Sequence, residues 1–114
     1  MFKHLIKATK YALDGIVFGL KHERALALEL FVVVTLLPFT TMLGETVTDK
    51  ILLLGSLFLV LITEFLNTAI EKTVDRISHA KHPLSKVAKD CGAAAVFLSI
   101  IFAVVTWVLI LFCQ

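Results

Sequence analysis

The chain has 114 residues, of which 59% are hydrophobic, and its formal net charge is only +2. Soluble domains average about 45–50% apolar residues, so the composition and the mean hydropathy of +0.94 indicate a polytopic membrane protein. The length fits one domain, and the small net charge argues against nucleic acid as a partner.

Residues 3–22 are predicted to form an amphipathic helix that lies in the membrane interface. Lys3, Lys7, Lys10 and Asp14 recur every three or four residues, which places them on one helical face. Apolar side chains fill the remaining surface, so the helix can anchor the chain to the bilayer with its basic face in water.

Three later segments are apolar enough to cross a bilayer, which requires about 20 residues. The last two turns of the second span should project into water, because this segment is longer than the bilayer requires. The predicted spans are 25–43, 51–77 and 91–112.

Local signals shape the ends of these spans. Pro38 is expected to kink the first span, and Asp49 or Thr48 is expected to cap the second. Pro83 is expected to break any continuous helix within a basic connection over residues 78–89.

The Lys and Arg residues are distributed unevenly along the chain. Five lie at or before Arg24, five lie between Lys72 and Lys89, and Lys50 alone lies in the turn between the first two spans. Because positive residues favour the cytoplasmic side, the N-terminus and the 72–89 connection are predicted to be cytoplasmic. The 44–50 turn and Gln114 are then predicted to lie outside.

A stripe of polar residues follows the apolar part of the second span. At about 100° per residue, Glu64, Asn67, Glu71 and Asp75 fall at roughly 0°, 300°, 340° and 20°, on one helical face. This polar stripe is about 16 Å long. Glu64 still lies inside the apolar segment, where an ionised group is costly. The stripe therefore requires a metal ion, a cationic side chain or shared protons.

Other charged residues are predicted to reach the same surface. They are Glu23 and Glu29 at the start of the first span, and Lys89 and Asp90 at the start of the third. Carboxylates suit Mg²⁺, which binds one or two of them together with substrate phosphates, and a lysine can contact a phosphate. A remaining carboxylate can accept a proton from a hydroxyl group. These are the parts that phosphoryl transfer to a lipid alcohol needs.

The residue types alone are equally compatible with structural roles. Asp90 can simply cap the third span, Asn67 can hold helices together, and Lys89 can anchor a helix end. The chain contains no Gly-rich phosphate-binding motif and no kinase catalytic loop. Spacing alone therefore predicts a polar site in a membrane bundle, with metal and phosphate as its candidate ligands.

Two longer motifs carry a resemblance to a known family. The sequence resembles the prokaryotic integral-membrane diacylglycerol kinases, with the undecaprenol kinases as close relatives, over nearly the whole chain. The order of surface helix, span, charged long helix, basic loop and span also matches. The motifs are Glu64-x-x-Asn67-Thr68-Ala69-Ile70-Glu71-x-x-Val74-Asp75 and Ala88-Lys89-Asp90-x-x-Ala93-Ala94-Ala95-Val96.

The resemblance implies an all-α membrane protein of the bacterial inner membrane, a homotrimeric bundle with active sites shared between subunits. It implies transfer of the γ-phosphate of MgATP to the hydroxyl of diacylglycerol, which gives phosphatidic acid. Undecaprenol is the alternative acceptor. A small proton-coupled transporter with Glu64 as proton carrier is a further alternative, as is a structural membrane subunit.

The resemblance also implies roles for individual residues. Three positions differ from the best-known members: His4 replaces Arg, Thr9 replaces a small Ala and Leu28 replaces Gln, so lipid choice is not carried over. By position, Glu64 is the implied catalytic base, and Glu23 and Glu71 are the implied metal ligands. The implied nucleotide or phosphate contacts are Tyr11, Glu23, Asn67, Glu71, Asp75, Lys89 and Asp90; the implied lipid contacts are Glu64, Thr9 and His4; Gly92 permits close approach.

Overall fold

A computed structural model describes residues 1–113, so the predicted position of Gln114 lies outside the described residues. These residues form four helices, which confirms the all-α prediction. Their bounds are α1 Phe2–His22, α2 Arg24–Leu43, α3 Val47–Ile77 and α4 Pro83–Phe112.

Three of these helices are long and apolar enough to cross a membrane, namely α2, α3 and α4. Many large apolar side chains point away from the bundle; Phe31 is 70% exposed and Phe97 is 64% exposed. Apolar surface of this extent is stable against lipid or against further protein, not against water. The chain is therefore a multi-pass membrane protein.

The start of α3 differs from the prediction. The helix begins at Val47, and its cap is Thr46, whose Oγ1 accepts a hydrogen bond of 3.1 Å from the Asp49 N–H. The predicted caps Asp49 and Thr48 lie inside the first turn instead. Thr46 precedes the first free backbone N–H groups of the helix, so its hydroxyl reaches one of them.

The start of α4 also differs. The helix begins at Pro83, and the His82 Nδ1 accepts a hydrogen bond of 3.1 Å from the Leu84 N–H. Proline suits the first helical position, because its missing N–H would have no helical partner there. The connection is thus limited to residues 78–82, and the prediction of a break extending to Lys89 is wrong. Asp90 lies two turns inside α4, so it does not cap this helix.

The helix α2 continues through Pro38 and ends at Leu43. The helix α1 touches the bundle near its C-terminal end. A Cβ added to its buried Gly19 would lie 2.9 Å from Leu26 Cδ1 and 3.1 Å from Phe65 Cε1. Most of α1 therefore stays apart from the other helices, and its place at the membrane surface remains a prediction.

The helices α2, α3 and α4 pack as antiparallel neighbours. Val33 of α2 packs with Leu57 and Leu61 of α3 in a small buried core. Polar pairs join α3 to α4: the Trp107 Nε1 donates to Ser56 Oγ at 3.1 Å, and the Thr63 and Ser99 hydroxyls lie 2.9 Å apart. Such hydrogen bonds fix the rotation of α4 about its axis relative to α3. This rotation determines which α4 side chains face the polar stripe.

Candidate functional site

The polar stripe lies on the face of α3 that meets α2 and α4. Glu64, Asn67, Glu71 and Asp75 are all half-buried. The side chains that pack against these four residues differ from one turn of α3 to the next, so each turn of the stripe has its own chemistry.

At the C-terminal end of α3, the stripe is paired with a cation from α4. The Lys89 Nζ donates to Asp75 Oδ1 at 2.8 Å, and both side chains are partly buried. Asp90, next to Lys89, is exposed and accepts a 2.6 Å hydrogen bond from Lys86 Nζ. An ammonium group has three N–H donors, so Lys89 can keep Asp75 and still contact a phosphate.

A second ion pair links α3 to the start of α2. Lys72 Nζ lies 2.9 Å from Glu23 Oε1 and 5.7 Å from the centre of the Phe18 ring. Lys72 is 57% exposed, so this pair contributes little to stability. It does fix Glu23, the cap residue of α2, beside the α3 stripe.

The middle of the stripe contains an unsatisfied oxygen. The Asn67 Nδ2 donates to Glu71 Oε1 at 3.1 Å, whereas Asn67 Oδ1 is buried without a hydrogen-bond donor. Gly92 of α4 packs directly on this oxygen, and a Cβ added there would overlap it. A buried acceptor without a partner costs free energy, so this position favours a ligand that supplies positive charge or a donor.

At the deepest level of the stripe, two acids face each other. The carboxyl group of Glu64 lies beside that of Glu29 on α2. Glu29 Oε2 is buried, and none of the described residues donates to it. This contact was not evident from the sequence, because only the α2–α3 packing brings the two positions together.

Three residues that were predicted to contact the lipid or the nucleotide do not pack against the polar stripe of their own chain. His4, Thr9 and Tyr11 are exposed on α1, and Thr9 Oγ1 donates to the Leu5 carbonyl at 2.9 Å. Leu28 is one of the three positions that differ from the best-known family members. Together with Glu29, it lines an apolar cavity of about 270 Å³.

A larger cavity of about 630 Å³ lies where α3 ends and α4 begins. Sequence reasoning gave its histidines no role, although the concentration of basic residues around Pro83 was a usable signal. Its polar lining includes His79, Lys81, His82, Lys86, Lys89 and Asp90. The cavity therefore opens directly beside the Lys89–Asp75 pair.

The oxygen ligands of the stripe fit Mg²⁺. Among residues 1–113, no three His, Cys, Asp or Glu side chains come together as an all-protein metal site. Mg²⁺ does not need such a site, because it usually binds one or two carboxylates, substrate phosphates and water. The unsatisfied Asn67 Oδ1 and the neighbouring Glu71 carboxylate are hard oxygen donors of the type this ion prefers.

The fold and site define a class: an all-helical, multi-pass membrane protein whose carboxylate and amide stripe runs from the apolar bundle to a basic cavity. The sequence model described as "Prokaryotic diacylglycerol kinase" matches residues 10–111. The chain belongs to this family.

Individual relatives agree over nearly their whole length. The chain is 44% identical to a diacylglycerol kinase of Haemophilus influenzae, over 96% of this chain and 92% of the relative. It is 40% identical to the diacylglycerol kinase of Pseudomonas aeruginosa, over 96% of this chain and 89% of the relative. It is also 40% identical to that of Escherichia coli strain K12, over 96% and 90% respectively.

Proposed function

We propose that the protein is an ATP-dependent lipid kinase that phosphorylates diacylglycerol to phosphatidic acid at the cytoplasmic membrane surface. The observation that carries the proposal is the buried, unsatisfied Asn67 Oδ1 between Glu71 and Gly92, on the same stripe as the Asp75–Lys89 pair. Family membership and the names of the relatives support the same reaction.

The reaction joins two regions of the stripe. The lipid hydroxyl oxygen forms a bond to the γ-phosphorus, and the bond from that phosphorus to the β-phosphate oxygen breaks, leaving ADP with the electron pair. Glu64 accepts the hydroxyl proton, because it is the acid at the apolar end of the stripe, where the lipid headgroup can reach.

The remaining residues bind and position the nucleotide. Glu71 and Glu23 would hold Mg²⁺, with Asn67 Oδ1 as a further oxygen ligand or nucleotide contact. A bound Mg²⁺ neutralises charge on the transferred phosphate. Lys89 contacts a phosphate oxygen, and Asp75 holds its ammonium group in place at 2.8 Å. The basic cavity beside Lys89 and Asp90 is large enough to receive the rest of the nucleotide.

The direct test measures product formation. Purified protein in mixed micelles with MgATP should convert diacylglycerol to phosphatidic acid, and omission of Mg²⁺ should stop the reaction. Undecaprenol is assayed side by side, because Leu28 gives this chain a more apolar cavity wall than the Gln of well-known members. If undecaprenol were phosphorylated faster, it would become the proposed substrate in place of diacylglycerol. If neither lipid were phosphorylated, the proposed kinase function would be refuted.

The proposed orientation has its own test. In a background where Cys91 and Cys113 are replaced by Ser, a cysteine at exposed Glu45 should react with an impermeant thiol reagent added to intact cells. A cysteine at exposed Lys81, in the loop beside the basic cavity, should react only after the membrane is opened. The reverse pattern would place the cavity away from ATP.

We also propose a homotrimer with sites shared between subunits. His4, Thr9 and Tyr11 are exposed on α1, whose buried residue is Gly19 near its C-terminal end, and this favours a role for them at the site of another subunit. The wide exposure of apolar side chains leaves surface for subunit contacts.

Mixed trimers test the shared site. Tyr11→Ala and Lys89→Ala subunits, each of reduced turnover alone, should recover part of the wild-type turnover when they are co-assembled, if Tyr11 on α1 serves the Lys89 site of another subunit. Recovery occurs because some trimers then contain a site with both intact residues. The measurement is turnover against the mixing ratio, with pure mutant trimers as controls. A purified monomer that turns over at the full rate would contradict the proposal.

A further inference from the structure

Glu29 is a buried acid to which the proposed mechanism gives no role. It lies in the second turn of α2, half-buried, with Oε2 shielded from water and without a donor among the described residues. Its carboxyl group lies beside that of Glu64, and the register of α2 against α3 places the two at the same depth. Such an arrangement is costly unless something compensates for it, so it requires an explanation.

The contact is built into the helix packing. One level towards the start of α2, Glu23 pairs with Lys72 of α3 at 2.9 Å. One level in the other direction, Val33 packs with Leu57 and Leu61. Glu29 and Glu64 lie between these two fixed points on the same antiparallel helix pair, so the register of α2 against α3 places both acids at the same depth.

No cationic side chain neutralises the two acids. Within residues 1–113, the ion pairs do not include either carboxyl group. The nearest acid along α3, Glu71, lies about 10 Å further on at 1.5 Å per residue. Lys72 lies about 12 Å from Glu64 by the same measure and is held by Glu23.

The other packed helices add no charge at this level. The helix α4 contributes Val96 and Ser99, neither of which titrates, and α1 contacts the bundle through Gly19. The titratable groups at that end of α1 are Lys21, which is exposed, and His22, whose ring centre lies 4.8 Å from that of Phe18. Two adjacent carboxylates in an apolar setting cannot both remain ionised, so one proton resides between them.

We propose that Glu29 is a positioning residue that holds this proton and donates it as a hydrogen bond to Glu64. The inference rests on the proposed kinase function. A hydrogen bond from a neutral acid to a carboxylate is short and strong, so it fixes the orientation of the Glu64 side chain. The other Glu64 oxygen then accepts the proton of the lipid hydroxyl as the new O–P bond forms, while the Glu29 proton stays in place.

The surroundings of Glu29 fit this role. Its side chain also lines the apolar cavity of about 270 Å³, whose other walls include Leu28, Val32 and Val60. The cavity extends from the acid pair towards the middle of the spans, so it separates the pair from water on that side. A proton held between the two acids is therefore shielded from bulk water on that side.

Two substitutions and a matched control test the proposal. Glu29→Gln replaces the acid by an amide whose N–H still donates but cannot be lost at high pH. Glu29→Leu has no donor at all. Glu45→Gln makes the same chemical change at an exposed position in the turn before α3. For each protein, kcat against pH is measured with MgATP and diacylglycerol, together with KM for MgATP.

We expect Glu29→Gln to retain activity and to lose the fall in kcat at alkaline pH that the wild type shows when the shared proton dissociates. Glu29→Leu should lower kcat by roughly 10–100-fold at every pH with little change in KM for MgATP, because it removes a hydrogen bond to a charged group. Glu45→Gln should match the wild type.

A Glu29→Gln pH profile identical to that of the wild type would overturn the proposal, as would complete inactivity of that variant at every pH. Retained MgATP binding verifies that each variant is folded; if Glu29→Leu does not fold, the Gln profile alone decides. A wild type without lipid kinase activity would refute the proposed function, whereas an active wild type with an unchanged Gln profile would refute only the role of Glu29.

Discussion

Replacement of Glu64 by Gln should reduce turnover by about 10²–10⁴-fold, the usual contribution of a general base, while MgATP binding stays nearly intact. The amide cannot accept the hydroxyl proton, but it has nearly the same size and can still accept a hydrogen bond from Glu29. The nucleotide contacts lie further along α3, at Asn67 and beyond, so their geometry should be preserved.

Single-turnover phosphate transfer and nucleotide affinity are the two measurements for this variant. Glu45→Gln is the matched control, because it makes the same substitution at an exposed residue outside the site. If Glu64→Gln abolished MgATP binding, Glu64 would belong to the nucleotide site, and the proton acceptor would have to be sought elsewhere.

The sequence was sufficient to predict the polar stripe and its helix. Periodicity alone places Glu64, Asn67, Glu71 and Asp75 on one face, because this depends on the residues of a single helix. The pairing of Asp75 with Lys89 needed the packing of α3 against α4, and the sequence could indicate only that some cation was required.

The helix ends were less predictable, because a single backbone hydrogen bond determines them. Thr46, Thr48 and Asp49 are all good caps by residue type, and the structure selects Thr46. Pro83 was interpreted as a break, although proline is equally typical of a first helical position. That difference places Lys89 and Asp90 about two turns inside α4 and not at its start, and there Lys89 reaches Asp75 of the stripe.

The contact between Glu29 and Glu64 could not be predicted, because it depends on the register of two helices that are distant in sequence. The sequence identified Glu64 as unusual for its depth in an apolar segment and placed Glu29 only at the start of the first span. Their mutual contact explains how two costly groups are tolerated at one level. The basic cavity was missed for a similar reason, since it forms only when the ends of α3 and α4 converge.

Replacement of Glu71 by Gln should weaken MgATP binding at low Mg²⁺ concentration by at least roughly tenfold, because loss of even an indirect metal contact typically costs about 10–100-fold in affinity. The amide is a neutral and weaker ligand for a hard cation. It can still accept the N–H of Asn67, so the local structure should survive. High Mg²⁺ concentration should restore part of the affinity by mass action.

Lys89→Ala is the informative comparison for Glu71→Gln. It removes a phosphate contact and the lysine partner of Asp75, so turnover should fall, but binding should not depend more steeply on Mg²⁺ concentration than in the wild type. Nucleotide affinity is therefore titrated against Mg²⁺ for both variants and for Glu45→Gln. Normal affinity of Glu71→Gln at low Mg²⁺ would remove Glu71 from the metal site and leave Glu23 and Asn67 Oδ1 as the remaining candidates beside the transferred phosphate.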